Sequence, residues 1–262
     1  MKKNFGFVLL GLISLGLSSC GSKMDVYPDV EKYTSGNIEY KDVEVNKIDI
    51  TWLSGSLTLV EDENATGITI EEVTDLTEKE ALVHTYFHDG FLSVKYFYSG
   101  YWCNKFNYKK DLTITYKPGL ESLKVSLTSG SLKSECIHAK EFDLDLTSGS
   151  ADISSLTSEE ADTDLTSGSV AFGKVVANKF DVEMTSGVAV VNYETIEKSS
   201  FSLTSGDVSM KLPSDGGTVK VSKTSGSVKA NREGTFSDDT YRFGEGSADI
   251  KVSMTSGSLT IN

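Results

Sequence analysis

The chain has 262 residues, of which 38% are apolar and 23 are glycine, and its 25 basic and 38 acidic side chains give a formal charge of −13. This apolar and glycine content is normal for a globular protein and argues against wholesale disorder. Arginine occurs only as Arg232 and Arg242, and an acidic surface repels phosphate backbones, so no nucleic-acid partner is expected.

The amino terminus has the pattern of an export signal. Two lysines precede an apolar run, residues 5–17, which is too short to span a bilayer but fits the apolar region of a signal peptide. The next residues, Leu17-Ser18-Ser19-Cys20, resemble the lipobox of bacterial lipoproteins, in which the cysteine is acylated. An ordinary signal peptide followed by a chance cysteine is the alternative.

We therefore predict a signal peptide at residues 1–19 and a lipidated Cys20 that begins a short tether over residues 20–40. Several acyl chains on one residue give stable anchoring. The expected location is the bacterial cell envelope, outside the cytoplasm, with the membrane reached through the lipid anchor.

A short phrase recurs through the rest of the chain, residues 41–262. Thr-Ser-Gly follows an apolar residue in most copies, and the glycines at 130, 149, 168, 187 and 206 are each 19 residues apart. Fainter copies occur at Thr34-Ser35-Gly36 and Leu53-Ser54-Gly55. Such regularity indicates a repeat architecture.

Alternation within each unit predicts half-buried strands. Phe142, Leu144 and Leu146 share one face, while Asp143 and Asp145 lie on the other. The constant interval favours an all-β fold, a β-solenoid of about 19-residue coils resembling a right-handed β-helix, because equivalent positions then stack. Apolar residues that precede the Thr-Ser-Gly phrase would form one interior column, beginning with Leu127, Leu146 and Leu165. A β-sandwich is the alternative.

Residues 71–116 depart from the repeat, because they lack the phrase and concentrate aromatic residues. The phrase Glu78-Lys79-Glu80-Ala81 within them can hold a helical turn. The aromatic side chains suit either the core and end cover of the stack or a platform for a glycan or peptide. Tyr98, Tyr101 and Trp102 are the candidate ligand contacts.

Two cysteines, Cys103 and Cys136, remain once Cys20 is acylated. Export permits a disulfide between them, and two buried small hydrophobic residues are an equal alternative. No metal site is predicted from them, because neither cysteine belongs to a closely spaced ligand cluster and His138 stands alone beside Cys136.

Stacking would also align acidic residues, with Asp143, Asp162 and Asp181 in one outward column. Carboxylates in such a column repel one another, and a Ca²⁺ ion can relieve that repulsion. No Ca²⁺-loop motif occurs, so neighbouring lysines and solvent are the simpler resolution.

Catalysis has little support in the sequence. It contains no nucleophile elbow, metalloprotease motif, phosphate-binding loop or dinucleotide-binding turn. The histidines at 84, 88 and 138 form no recognisable relay, so we predict no enzyme, no catalytic residue and no cofactor. A polysaccharide-active β-helix enzyme is the less favoured alternative.

The Ser-Gly-Ser-hydrophobic units, with residues 88–94 and 111–118, resemble the β-strand-repeat family of candidate adhesins among bacterial surface proteins, and the related head domain of autotransporter adhesins. The resemblance covers roughly residues 40–262 and implies a repeat-built β domain at the cell surface, with an unknown glycan or protein ligand. It implies no catalytic or binding residues. A self-stacking structural protein and an envelope-signalling accessory are the alternatives.

Overall fold

The structure is a computed structural model that describes residues 26–105 and 107–262. Its strands form one hydrogen-bonded sheet of twenty strands, and 3₁₀ turns occur at Val30–Lys32 and Lys79–Ala81. The second of these turns is the helical turn predicted from the sequence. The strands are β1 Thr34–Ser35, β2 Ile38–Tyr40, β3 Lys47–Trp52, β4 Ser56–Glu61, β5 Ile68–Thr74, β6 His84–His88, β7 Phe91–Lys95, β8 Lys110–Tyr116, β9 Leu120–Ser134, β10 Ile137–Ile153, β11 Leu156–Leu165, β12 Ser169–Met184, β13 Val188–Leu203, β14 Asp207–Lys211, β15 Gly216–Lys223, β16 Ser227–Ala230, β17 Thr235–Ser237, β18 Thr240–Gly244, β19 Ala248–Met254 and β20 Ser258–Ile261.

Successive repeats stack as parallel coils in register. Leu146 of β10 pairs with Leu127 of β9 on one side and with Leu165 of β11 on the other. The three leucines are at most 2% exposed, so they line one interior column as predicted. The predicted β-solenoid is confirmed, and the parallel register rules out the β-sandwich, whose strands run antiparallel.

Burial within one coil shows where the chain turns. Along β10, buried and outward residues alternate except at two places: Lys140 and Glu141 are exposed in succession, and none of residues 147–150 is buried. A change of alternation places the following residues on a new side of the coil. The sides are therefore 137–139, 142–146 and, after the Thr-Ser-Gly corner, 150–153.

Glycine is required at the Thr-Ser-Gly corner by both conformation and space. Gly168 has a φ of 129°, a backbone conformation that residues with a side chain rarely adopt. A Cβ atom at this position would also lie 2.3 Å from the carbonyl oxygen of Gly149. Gly187 meets Gly168 in the same way. The repeated glycine thus lets consecutive corners approach closely enough for the coils to pair.

The coils at the amino-terminal end do not follow the order of the sequence. The coil formed by β3 and β4 pairs with β9 on its inner side and with β7 and β8 on its outer side. Residues 91–116 therefore form the outermost coil. In the sequence, however, they lie between the coil of β3 and β4 and the coil of β9. The aromatic segment is the end of the stack and not an irregular insertion.

The carboxy-terminal end shows the same exchange. The last coil, β19 and β20, pairs with β13 and β14 on one side and with β15 and β16 on the other. The coil of β19 and β20 therefore lies inside the stack, although it comes last in the sequence. The coil of β15 and β16 is the outermost coil at this end. The polar residues from Asn231 to Gly246, with Lys223 in the apolar column, predict a loss of regularity near this end of the chain, whereas the solenoid regains its register at Ala248–Met254.

Antiparallel strands cover both ends of the stack. At the amino-terminal end β6 pairs with β7 and β5 with β8, and β1 and β2 extend this layer. At the other end β18 covers β15, and β17 pairs with β18. Residues 26–40, predicted as part of a short tether, join the amino-terminal cap through β1 and β2. Strands that cover the terminal coils protect backbone groups that would otherwise be open to pairing with other chains.

Candidate functional site

The predicted acidic columns lie on the outer surface of the solenoid. Asp143, Asp162 and Asp181 are in register on adjacent coils. Asp145, Asp164 and Glu183 form the neighbouring column. Burial and the surrounding carboxylates raise the pKa of Asp164. The two columns form a strongly negative face, which we call the acidic face.

Lysines neutralise part of the acidic face. Lys179 Nζ lies 3.0 Å from Asp181 Oδ2 and 3.9 Å from Asp162 Oδ1. Lys124 Nζ lies 3.4 Å from Asp145 Oδ2, and Ser126 also donates a hydrogen bond to this carboxylate. Such contacts with lysine relieve part of the repulsion among the carboxylates, which is the arrangement that the sequence favours over a bound Ca²⁺ ion.

Most of the aromatic segment is buried in the amino-terminal cap. Tyr96 is fully buried and Phe97 is 6% exposed, and their rings meet edge to face with centroids 4.5 Å apart. Trp52 packs against Tyr96 in the same geometry. For these residues the interpretation as core and end cover is correct.

The loop at residues 98–102 is the exposed part of the aromatic segment, and we call it the aromatic tip. Trp102 is 50% exposed and Tyr98 is 36% exposed, whereas Tyr101 is partly buried against Phe97. The backbone N–H of Tyr101 donates to the carbonyl of Tyr98, which closes the loop as a turn. The tip is held to the cap by Tyr27, whose hydroxyl donates to the Phe97 carbonyl and whose backbone N–H donates to Ser99.

A buried ion pair lies within the same cap. Lys110 Nζ is 2.5 Å from Glu72 Oε1, both side chains are 1% exposed, and the ammonium also donates to the Ala81 carbonyl. The rings of Tyr96 and Phe97 lie 4.7 and 4.9 Å from the ammonium. Burial lowers the pKa of Lys110 to about 8, although Glu72 opposes the shift.

The sequence left open whether Cys103 and Cys136 form a disulfide or are two buried small hydrophobic residues. Both thiols are free in the structure, so the disulfide is not formed. Each cysteine is partly exposed and not fully buried. Cys103 lies in the loop before β8, and Cys136 lies between β9 and β10.

Cys136 instead has neighbours that the sequence analysis did not connect. Its thiol, a carboxylate oxygen of Glu61 and a ring nitrogen of His138 lie within 4.8 Å of one another. The spacing Cys-x-His is visible in the sequence, but Glu61 is brought there only by the pairing of β4 with β9. Among the residues that the structure describes, this is the group able to hold a metal ion.

The predicted signal peptide and the lipidation site Cys20 lie outside the described residues. Within 26–105 and 107–262, no helix is long and apolar enough to cross a membrane.

Comparisons with solved structures find proteins of low sequence identity that match most of this chain. A candidate cell adhesion protein from Clostridium sporogenes is 16% identical, with 88% of this chain and 99% of that chain covered and a TM-score of 0.41. A candidate adhesin from Bacteroides fragilis is 12% identical, with 88% and 98% covered and a TM-score of 0.49. A candidate lipid-binding protein from Parabacteroides distasonis is 13% identical, with 86% and 96% covered and a TM-score of 0.49.

No curated protein matches the sequence closely enough to count as a relative. The model of the family described as Toastrack DUF4097 matches residues 92–262, which is more than half of the chain and includes strands β8 to β20. The chain therefore belongs to the Toastrack DUF4097 family.

Proposed function

We propose that the protein is a lipid-anchored module of the bacterial cell surface that binds other surface molecules through the outside of its solenoid. The observation that carries this proposal is the position of the lipobox cysteine relative to the fold. Cys20 precedes Tyr27 by seven residues, and Tyr27 is 8% exposed and fixed to the cap by hydrogen bonds. Seven residues reach at most about 25 Å.

This short reach gives the anchored protein a direction. The amino-terminal cap and its aromatic tip would lie close to the membrane, while the acidic face would extend along the stack away from it. Tyr and Trp suit the boundary between an apolar and an aqueous phase. We therefore propose that Tyr98, Tyr101 and Trp102 contact a ligand present at the membrane surface, such as a glycan headgroup or a membrane protein.

The shape of the surface supports binding over catalysis. Three grooves among the described residues have volumes of about 450–480 Å³, are open to solvent and are lined by a mixture of charged, polar and apolar side chains. A large and regular outer surface is typical of solenoids that bind other macromolecules. Adhesion is the form of binding that the resemblance to bacterial surface proteins implies.

The capped ends argue against a self-stacking structural role. End-to-end stacking would require a terminal coil with free strand edges, but β5 and β6 cover one end and β18 covers β15 at the other. The remaining edge, β16, has four residues and carries Lys229, features that disfavour pairing with another chain.

The anchoring part of the proposal is tested in cells that express the full chain with labelled fatty acid. Cys20→Ala should abolish incorporation of the label and release the protein from the membrane fraction, whereas Cys103→Ser should retain both. Label on the Cys20→Ala protein would overturn the anchoring proposal.

The binding part is tested with glycan and matrix-protein arrays and with membrane extracts. Trp102→Ser and Tyr98→Ser should weaken capture, while Phe236→Ser, which removes a 60% exposed ring from the opposite cap, should not. Equal loss in all three variants, or no binding in any format, would contradict a ligand site at the aromatic tip.

A further inference from the structure

Three side chains that commonly bind transition metals meet where two distant parts of the chain become neighbours. Glu61 is the last residue of β4, Cys136 lies between β9 and β10, and His138 is the second residue of β10. One potential ligand atom from each lies within 4.8 Å of the others. Ligand atoms around a tetrahedral Zn²⁺ are about 3.3–3.8 Å apart, so small side-chain movements complete the geometry.

Hydrogen bonds already hold the group together. Glu61 accepts the backbone N–H of His138 at 2.6 Å, and its second oxygen lies 2.6 Å from Nδ1 of the same residue. The thiol of Cys136 lies beside the same carboxylate, within 4.8 Å of the other two ligand atoms. A metal ion held by the three atoms would take the place of the thiol proton and of any proton on Nδ1 of His138.

The surroundings of the group provide a second and independent observation. The hydroxyl of Tyr116, which pairs with Glu61 across the strands, is fully buried and has no hydrogen-bond partner among the described residues. Because Tyr116 and Glu61 are directly paired, their side chains lie on the same side of the sheet. A buried hydroxyl without a protein partner commonly faces a bound water or ion.

One side of the group remains open to solvent. Glu61 and Cys136 line a groove of about 460 Å³, and the carboxylates of Glu135 and Asp152 line it as well. Lys133 lines the groove too, but the carboxylates of Glu61, Glu135 and Asp152 outnumber it, so the surrounding charge favours a cation. The Glu61 side chain is 3% exposed and that of His138 is 48% exposed, so the group has both a buried wall and an accessible side.

We propose that Glu61, Cys136 and His138 form a Zn²⁺ site with a water molecule as the fourth ligand on the groove side. A thiolate and an imidazole favour Zn²⁺ over Ca²⁺ and Mg²⁺, which take oxygen ligands. Zn²⁺ with three protein ligands and an open position is a common arrangement. The bound ion would fasten the β3–β4 coil to the corner between β9 and β10.

The test uses Co²⁺ as a spectroscopic probe for Zn²⁺ in the purified full chain under reducing conditions. One equivalent of Co²⁺ should produce a thiolate-to-metal charge-transfer band, which Zn²⁺ should abolish by displacement and excess Ca²⁺ should leave unchanged. His138→Ala and Glu61→Gln should weaken Zn²⁺ binding at least about tenfold.

The second free thiol supplies the matched control. Cys136→Ser should eliminate the charge-transfer band, whereas Cys103→Ser should preserve it. No band in the wild-type protein, or a band that survives in Cys136→Ser, would overturn the proposal. His138→Ala removes an exposed side chain and should keep the wild-type circular dichroism spectrum, so weaker binding by this variant reports on the site and not on folding.

Discussion

Met254 pairs in register with Leu203, although Lys223 is the next member of the repeat along the chain. Lys223 lies on the other side of Met254, at the end of the interior column, where its ammonium reaches the carbonyl of Gly226 and is exposed. The final coil of the chain is thus inserted between two earlier coils. A lysine is tolerated in the apolar column because it occupies the terminal coil.

This order can be tested by exchanging the two residue types. Met254→Lys should lower the free energy of unfolding by at least about 3 kcal/mol, because a charge would be buried without a partner. Lys223→Met should change it by no more than about 0.5 kcal/mol, because the position is exposed. Urea denaturation measures both changes. The opposite ranking would mean that the coils follow the order of the sequence.

The glycine corners predict a second difference. Gly168→Ala should destabilise the fold by at least about 3 kcal/mol, because its Cβ would overlap the carbonyl of Gly149 in addition to the cost of a positive φ. Gly119→Ala is the matched control, since its φ is 94° but no atom lies within 4 Å of the added Cβ. It should cost only about 1–2 kcal/mol. Equal costs in thermal unfolding would show that conformation, and not close approach, requires glycine at the corners.

A buried hydroxyl gives a stabilising prediction. Thr163 lies between Leu144 and Val182 on adjacent coils, is 1% exposed, and its hydroxyl has no partner among the described residues. Thr163→Val keeps the shape and removes the unpaired group, so it should raise the free energy of unfolding by about 1 kcal/mol.

Ser199 is the control for this substitution. Its hydroxyl donates to the Phe180 carbonyl and pairs with the buried hydroxyl of Tyr193. Ser199→Ala should therefore destabilise by about 1–3 kcal/mol, because it leaves Tyr193 unpaired. Chemical denaturation of both variants checks the pair, and a destabilised Thr163→Val protein would indicate that this hydroxyl is satisfied in solution.

The buried pair of Lys110 and Glu72 predicts an unusual pH dependence. The pKa of Lys110 is about 8 in the folded protein, below its ordinary value of 10.5. Between these values the unfolded chain binds more protons than the folded one, so this lysine makes stability increase with pH. From pH 8 to 10 the gain is about 2 kcal/mol. Tyr96, Tyr116 and Tyr193, whose pKa values burial raises, oppose this gain as the pH approaches 10 and beyond it.

Denaturation midpoints between pH 8 and 10 test this behaviour. The double variant Lys110→Met, Glu72→Leu replaces both charges and should lose the rise, because the buried lysine that binds fewer protons in the folded protein is then absent. A rise of the same size in the double variant would assign the pH dependence to other residues.

The strands, the corners and the interior column were predictable because they depend on local pattern. Alternation fixes which side chains of a strand face inward, and the interval of 19 residues fixes which of them stack. Leu127, Leu146 and Leu165 could therefore be placed in one column from the sequence alone. The acidic column of Asp143 and Asp162 followed from the same register. Exposure of Trp102 was predicted from its place in a turn-forming loop.

The sequence by itself determined the repeat, the alternation within each coil and the need for glycine at the corners, since these arise from neighbouring residues and a constant interval. Only the tertiary structure decided the order of the coils at the two ends, because the repeats are nearly equivalent as pairing partners and local pattern does not distinguish among them. That order joins Glu61 to Cys136 and His138 and places Met254 within the stack. The proposed metal site therefore depends on long-range strand pairing that no sequence interval encodes.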